Sequence, residues 1–178
     1  WREVRLDIIK TTRFKQVYWM TNSVNVARRN AQLVLDWEFA TDYPTVDGLT
    51  MEVSLKRNGK INYERSYPLF QRSSRERIYI DNVDFWWPRG YGEPALYEAT
   101  CRIIDNNKNV LDEKIQKIGI RTAELIRTDV TSKEKPGEFV FKINGEKIFV
   151  RGTNWVPLDA LHSRDKSHLK EAIGLVSD

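Results

Sequence analysis

Period-two alternation of apolar residues, Asn-Gly dipeptides beside β-prone runs and turn signals at short intervals predict an all-β fold. About seven antiparallel strands within roughly a hundred residues fit an immunoglobulin-like β-sandwich. Val4 to Ile9 is a short β-prone run. Over Gln16 to Val24, Val17 and Trp19 alternate with Tyr18 and Met20. Ala31 to Thr41 is the clearest strand: Leu33, Leu35, Trp37 and Phe39 point one way, Asp36 and Glu38 the other. Leu49 to Lys56 and Ile61 to Tyr67 flank Asn58-Gly59, a pair that accepts the positive φ angles of a type I′ hairpin turn. The basic run Arg72 to Arg77 reads as a solvated loop or strand edge. Ile78, Ile80 and Val83 follow as the next strand.

The stretch DFWWPRGYGEPALYEAT, Asp84 to Thr100, sets two tryptophans side by side. Neighbours on a regular strand face opposite sides, so Trp86 and Trp87 cannot stack together on one ligand. One is expected in the core and the other over a neighbouring loop or domain. Pro88, Gly90, Gly92 and Pro94 shape an irregular crossing before the strand at Leu96. Leu96 to Ile104 and Val110 to Ile120 complete the sandwich, joined by the polar turn Asp105 to Asn109.

From Arg121 the character changes. Thr128 to Gly137 is polar and ends in Pro-Gly, a linker or long loop. Phe139 to Ile143 and Lys147 to Arg151 bracket Asn144-Gly145-Glu146 as a second hairpin. Ser163 to Asp178 fits a helix capped by Ser163 or Asp165, with Leu169, Ala172, Ile173 and Val176 at helical spacing. The chain opens on Trp1 without a leader, and the helix stripe has no partner after it. Both features lead to the expectation of a piece cut from a longer protein.

Of the 178 residues 40% are apolar and 30% charged, and no apolar run approaches the ~20 residues a membrane helix needs. Membrane insertion is therefore not expected. The net charge of +4 is interleaved with acids, and no zinc spacing, recognition helix or aromatic RNA-binding motif accompanies it, so no nucleic-acid partner is expected. Cys101 alternates with Tyr97, Ala99 and Ile103 and reads as a small buried apolar residue. No pair of carboxylates stands out as a catalytic couple. His162 and His168 are six apart, not the three or four that suits a zinc pair on a helix. There is no Gly-x-Ser-x-Gly elbow, and Gly90-Tyr91-Gly92 lacks the third glycine of a dinucleotide cradle. No metal and no cofactor is implied.

Three motifs carry a resemblance. Trp86-Trp87-Pro88-Arg89-Gly90-Tyr91-Gly92, with Leu96-Tyr97, resembles the W-W-P-x-G-Y-G stretch of glycoside hydrolase family 2, in its β-mannosidase-like branch. Gly119 to Leu125, GIRTAEL, is similar to the family's exit from its sandwich domain. Phe141 to Ala160, FKINGEKIFVRGTNWVPLDA, is similar to the entry into its catalytic barrel. The motifs stand in the family's order between Phe85 and Arg164.

The resemblance implies a jelly-roll sugar-binding domain, a sandwich and a (β/α)8 barrel in succession. Residues 1–11 would be the jelly-roll tail and 12–124 the sandwich. Residues 125–178 would be a linker and the truncated start of the barrel, including the hairpin and short helix. It also implies a parent that hydrolyses terminal β-glycosidic bonds with retention, using two glutamates on later barrel strands. The acid/base follows an asparagine as Asn-Glu, and this sequence contains no such pair. No catalytic residue is thus expected in the chain, which should be inactive alone. Asn154, Trp155 and Asp159 match the end of the first barrel strand, where side chains face the active site. Asn154 and Asp159 would bond sugar hydroxyls and Trp155 would give the ring an apolar face; the plainer reading has Trp155 in the barrel wall and Asp159 capping a turn. Arg151 is expected as an internal ion-pair or hydrogen-bond partner. The implied partners are the parent's glycan substrate and its own jelly-roll and barrel domains, in a periplasmic or secreted enzyme if external glycans are degraded. The alternative is a stand-alone immunoglobulin-like module that binds carbohydrate or protein.

Overall fold

The computed structural model describes residues 4, 6, 10–152, 154–159 and 164–177. Most of the run Val4 to Ile9, together with His162 and Ser163, lies outside the described residues. Two compact units divide the chain, Trp1–Ile148 and Phe149–Asp178.

The first unit is dominated by an all-β sandwich of two antiparallel sheets. One has the order β1 (Arg13–Asn25), β2 (Asn30–Ala40), β5 (Ser73–Asp81). The other runs β4 (Lys60–Pro68), β3 (Thr50–Arg57), β6 (Tyr97–Ile104), β7 (Val110–Ile118). Alternation places Leu33, Leu35, Trp37 and Phe39 of β2 inside with Met51, Val53, Leu55, Tyr97, Cys101 and Ile103. Burial of each large apolar side chain contributes roughly 1.5–3 kcal/mol. The Asn58-Gly59 turn has φ of 50° and 75°, the two left-handed residues of a type I′ turn. Asp105 Oδ1 accepts from the N–H groups of Asn107 and Asn109, closing the β6–β7 turn. The basic run belongs mostly to β5, an edge strand, where Arg75 grips Asp36 by two bonds.

The two sheets meet at their edges. β1 lies against β7, where Phe14 N–H donates to Asp112 Oδ2 at 2.8 Å and Lys10 pairs with the same carboxylate. β4 meets β5 at the other seam.

The crossing from β5 to β6 is held from several sides. Trp87 packs on the core cluster. Trp86 pairs with Pro94, its N–H donates to Ile120 O, and the Arg121 guanidinium lies 4.4 Å above its ring. The side of each tryptophan meets a glycine, Trp87 at Gly92 and Trp86 at Gly119, where a Cβ would come within about 3 Å. Asp84 N–H donates to Tyr97 Oη at 2.8 Å, and its carboxylate pairs with Arg29 and with Arg57, which also holds Glu93. The motif is structural, with one ring on the core and one over the exit of the sandwich.

After Ile120 the structure adds a strand that the alternation did not reveal. Ala123–Arg127 forms a strand, β8, that pairs with β9 (Phe139–Ile143), which in turn pairs with β10 (Glu146–Ile148). The polar run 128–137 is therefore the long loop of a hairpin, one of the two readings its composition allowed. Thr128 and Glu138 close it by two bonds. The first compact unit runs on to Ile148, so it includes β8, β9 and β10. Asn144 explains why. It is buried at φ 51°, its N–H donates to Thr122 O, its Oδ1 accepts from Thr122 N–H, and its Nδ2 donates to Trp86 O at 3.1 Å. One side chain thus keys the hairpin to the sandwich. Leu125, Phe139 and Phe141 lie exposed on the small sheet, the two phenylalanines edge to face.

In the second unit, α1 (Asp165–Ser177) starts at Arg164, whose carbonyl accepts from Ser167 and His168 N–H. Leu169 and Ile173 of the expected stripe are exposed.

Candidate functional site

Asn154, Trp155 and Asp159 sit in the second unit, within the irregular chain that leads to α1. They were expected at the end of a barrel strand. Residues 149–157 lie outside any strand among the described residues, because a strand needs a partner on its edge and the β9–β10 pairing stops at Ile148. Asn154 and Trp155 are exposed, Trp155 at 44%. Asp159 is half-buried, and its Oδ2 accepts from Arg164 N–H at 2.8 Å. Asp165 Oδ1 accepts from Leu158 N–H at 2.9 Å, so two carboxylates tie the segment to the first turn of the helix. Arg151 is exposed.

Among the described residues, the carboxylates whose acidity is displaced are all displaced downward. Asp36 is held down chiefly by its bond from Arg75, Asp105 by Asn109, Glu134 by Ser132 and Glu138 by Lys147. A general acid needs the opposite shift. Burial pushes the Cys101 thiol up to about 12, which leaves it protonated and inert. Burial also raises Tyr97, against the Asp84 N–H bond that favours its ionised form. His168 pairs with Glu171 at 3.0 Å. Among the described residues no three His, Cys, Asp or Glu side chains gather to hold a metal, and no helix is long and apolar enough to cross a membrane.

Sequence reasoning gave no role to Gln32 or Tyr79, which line an open hollow on the outer face of the β1-β2-β5 sheet. Their outward alternation was readable; the cross-strand register that brings them together was not.

Residues 12–121 match the family described as glycosyl hydrolases family 2. β-Mannosidase B of Aspergillus flavus is 32% identical over 164 residues, which cover 90% of this chain and 18% of that protein. The β-mannosidase of Capra hircus is 35% identical over 107 residues, 60% of this chain and 11% of that protein. Among solved structures, the β-D-mannosidase of Dictyoglomus thermophilum superimposes with a TM-score of 0.68 at 27% identity, over 84% of this chain and 18% of that one. A β-glucuronidase of Bifidobacterium dentium shares the fold, with a TM-score of 0.74 at 19% identity over 94% of this chain and 26% of that one. The chain thus spans less than a fifth of the curated relatives' length.

Proposed function

The chain belongs to glycosyl hydrolases family 2, and from that premise we propose that it is a non-catalytic middle fragment of a β-mannosidase-like hydrolase. The parent removes terminal β-linked sugars with retention, through two glutamates that lie outside this sequence. The observation that carries this reading is the extent of the match. The similarity to β-mannosidase B covers 90% of this chain, so it cannot end with the expected sandwich at residue 124 and continues through the hairpin. A free-standing binding module would have no need of that continuation.

In the parent, the sandwich and the keyed hairpin act as a brace that fixes where the following chain begins. Asn154 and Asp159 contribute hydrogen bonds to a terminal sugar and Trp155 an apolar wall. Support for this comes from the exposure of Asn154 and Trp155. Asp159 already accepts from Arg164 N–H, so its carboxylate would be oriented before substrate arrives. The test is hydrolysis of p-nitrophenyl β-mannoside. The full-length protein is expected to turn it over and the 178-residue chain is not. Trp155→Ala in the full-length protein should raise KM about tenfold. Turnover by the isolated chain, or a full-length protein inert towards β-glycosides, would overturn the reading.

A further inference from the structure

The far end of the β1-β2-β5 sheet carries a feature the fold does not require. A bulge between Thr21 and Ser23 changes the parity of β1, so Ser23 and Asn25 come opposite Gln32 and Asn30 on the outer face. β5 sets Tyr79 opposite Gln32 and Asp81 opposite Asn30. These six outward residues border an open hollow of 430 Å³, a size within the roughly 300–1,000 Å³ of small-molecule sites. None of the residues lining it is cationic.

Two of these groups are linked in one direction with Asn22, which lies in the bulge. Asn22 Nδ2 donates to Gln32 Oε1, and Gln32 Nε2 donates to Tyr79 Oη at 2.6 Å. Successive donation polarises such a relay and leaves the phenol proton to be donated outward. Tyr79 is 69% exposed. A ring fixed by its hydroxyl offers an apolar face at small entropic cost. The amides around it, and Asp81, can exchange hydrogen bonds with adjacent hydroxyls. The outer face of the other sheet is different in kind. Its hollow, bordered by Glu52, Lys56, Glu64 and Arg102, measures 110 Å³ and has no aromatic residue.

We propose that the Tyr79 face holds a neutral β-linked oligosaccharide. The ligand class rests on the parent's being a glycosidase. The lone carboxylate and the lack of cations in the lining disfavour an anionic sugar.

Calorimetry and amide shifts of the whole 178-residue chain, titrated with β-1,4-linked mannohexaose, test this. Saturable binding is expected, weakened about tenfold by Tyr79→Ala and less by Tyr79→Phe, which keeps the stacking face. Tyr43→Ala, at the opposite end of the sandwich, should leave it unchanged, and a hexamer of uronic acid should bind more weakly. No saturation up to about 10 mM, or binding indifferent to Tyr79→Ala in a variant with unaltered circular dichroism, overturns the inference. The chain lacks an Asn-Glu pair, so hydrolysis by the full-length protein is read separately. Hydrolysis there with no binding here defeats this inference alone; binding here with no hydrolysis there defeats only the proposed parent activity.

Discussion

Replacing Asn144 by alanine should release the β8–β10 hairpin from the sandwich. Two side-chain bonds are lost, one from Thr122 N–H and one to Trp86 O, both in partly buried surroundings. Each is worth about 1 kcal/mol net. Alanine must also hold a φ of 51°, which costs an L-residue without a polar side chain about 1 kcal/mol more. The sum, about 3 kcal/mol, corresponds to a rise of about a hundredfold in the opening equilibrium. Hydrogen exchange resolves it: amides of Phe139–Ile143 and Glu146–Ile148 should exchange about a hundredfold faster, while those of β3 and β6 change little. Asn144→Gly, which relieves the backbone, should lose only about 2 kcal/mol. Unchanged exchange in the hairpin of the alanine variant would refute the keying argument. So would equal acceleration across β3 and β6.

Three further outcomes follow from the same contacts. Gly119→Ala sets a Cβ 2.9 Å from Trp86 Cγ and Cδ1 beneath a ring already covered by Arg121, and should lower stability in urea by about 2 kcal/mol. Arg57, with its side chain only 9% exposed, bridges Asp84 and Glu93; Arg57→Met should cost roughly 2 kcal/mol, measured against an unchanged m-value. The depressed acidities of Asp36 and Glu138 mean that their bonds stabilise fully above the ordinary values of 3.8 and 4.5 and are lost as pH falls through the lower folded values. The urea midpoint should therefore be level between about pH 7 and pH 5 and fall below that, and Asp36→Asn should blunt the acid loss. An acid limb unaltered in that variant would contradict the assignment.

What the residues made legible was whatever local rules govern. Alternation in Ala31 to Thr41 gave the inward set Leu33, Leu35, Trp37 and Phe39, and two Asn-Gly pairs gave two hairpin turns. β8 was missed because Ala123–Arg127 is five residues long, with an alternation too brief to read and a partner twelve or more residues away. A polar Pro-Gly run looks the same whether it links domains or closes a hairpin, so the role of residues 128–137 stayed open in the sequence. Which tryptophan faces the core was open until Gly119 and Arg121 were seen around Trp86. The Asn154, Trp155 and Asp159 assignment rests on motif resemblance, since no local pattern marks a sugar contact. The Tyr79 hollow depends on a bulge and on cross-strand register, neither of which a linear pattern contains.

The seam between β1 and β7 bears on how this molecule meets copies of itself. A bare strand edge is a template for a foreign strand. Here the Phe14 N–H, beside the bulge of β1, is occupied by Asp112, so an invading strand must first break a bond to a carboxylate. At the opposite seam β4 presents Lys60, Glu64 and Arg65 and stops at Pro68, a residue with no N–H to offer. Both borders of the sandwich are guarded, whereas the small β8–β10 sheet has open edges and exposes Leu125, Phe139 and Phe141, so that sheet is the weaker point for self-association. Solubility can then be tuned at those three positions while the sandwich is left untouched.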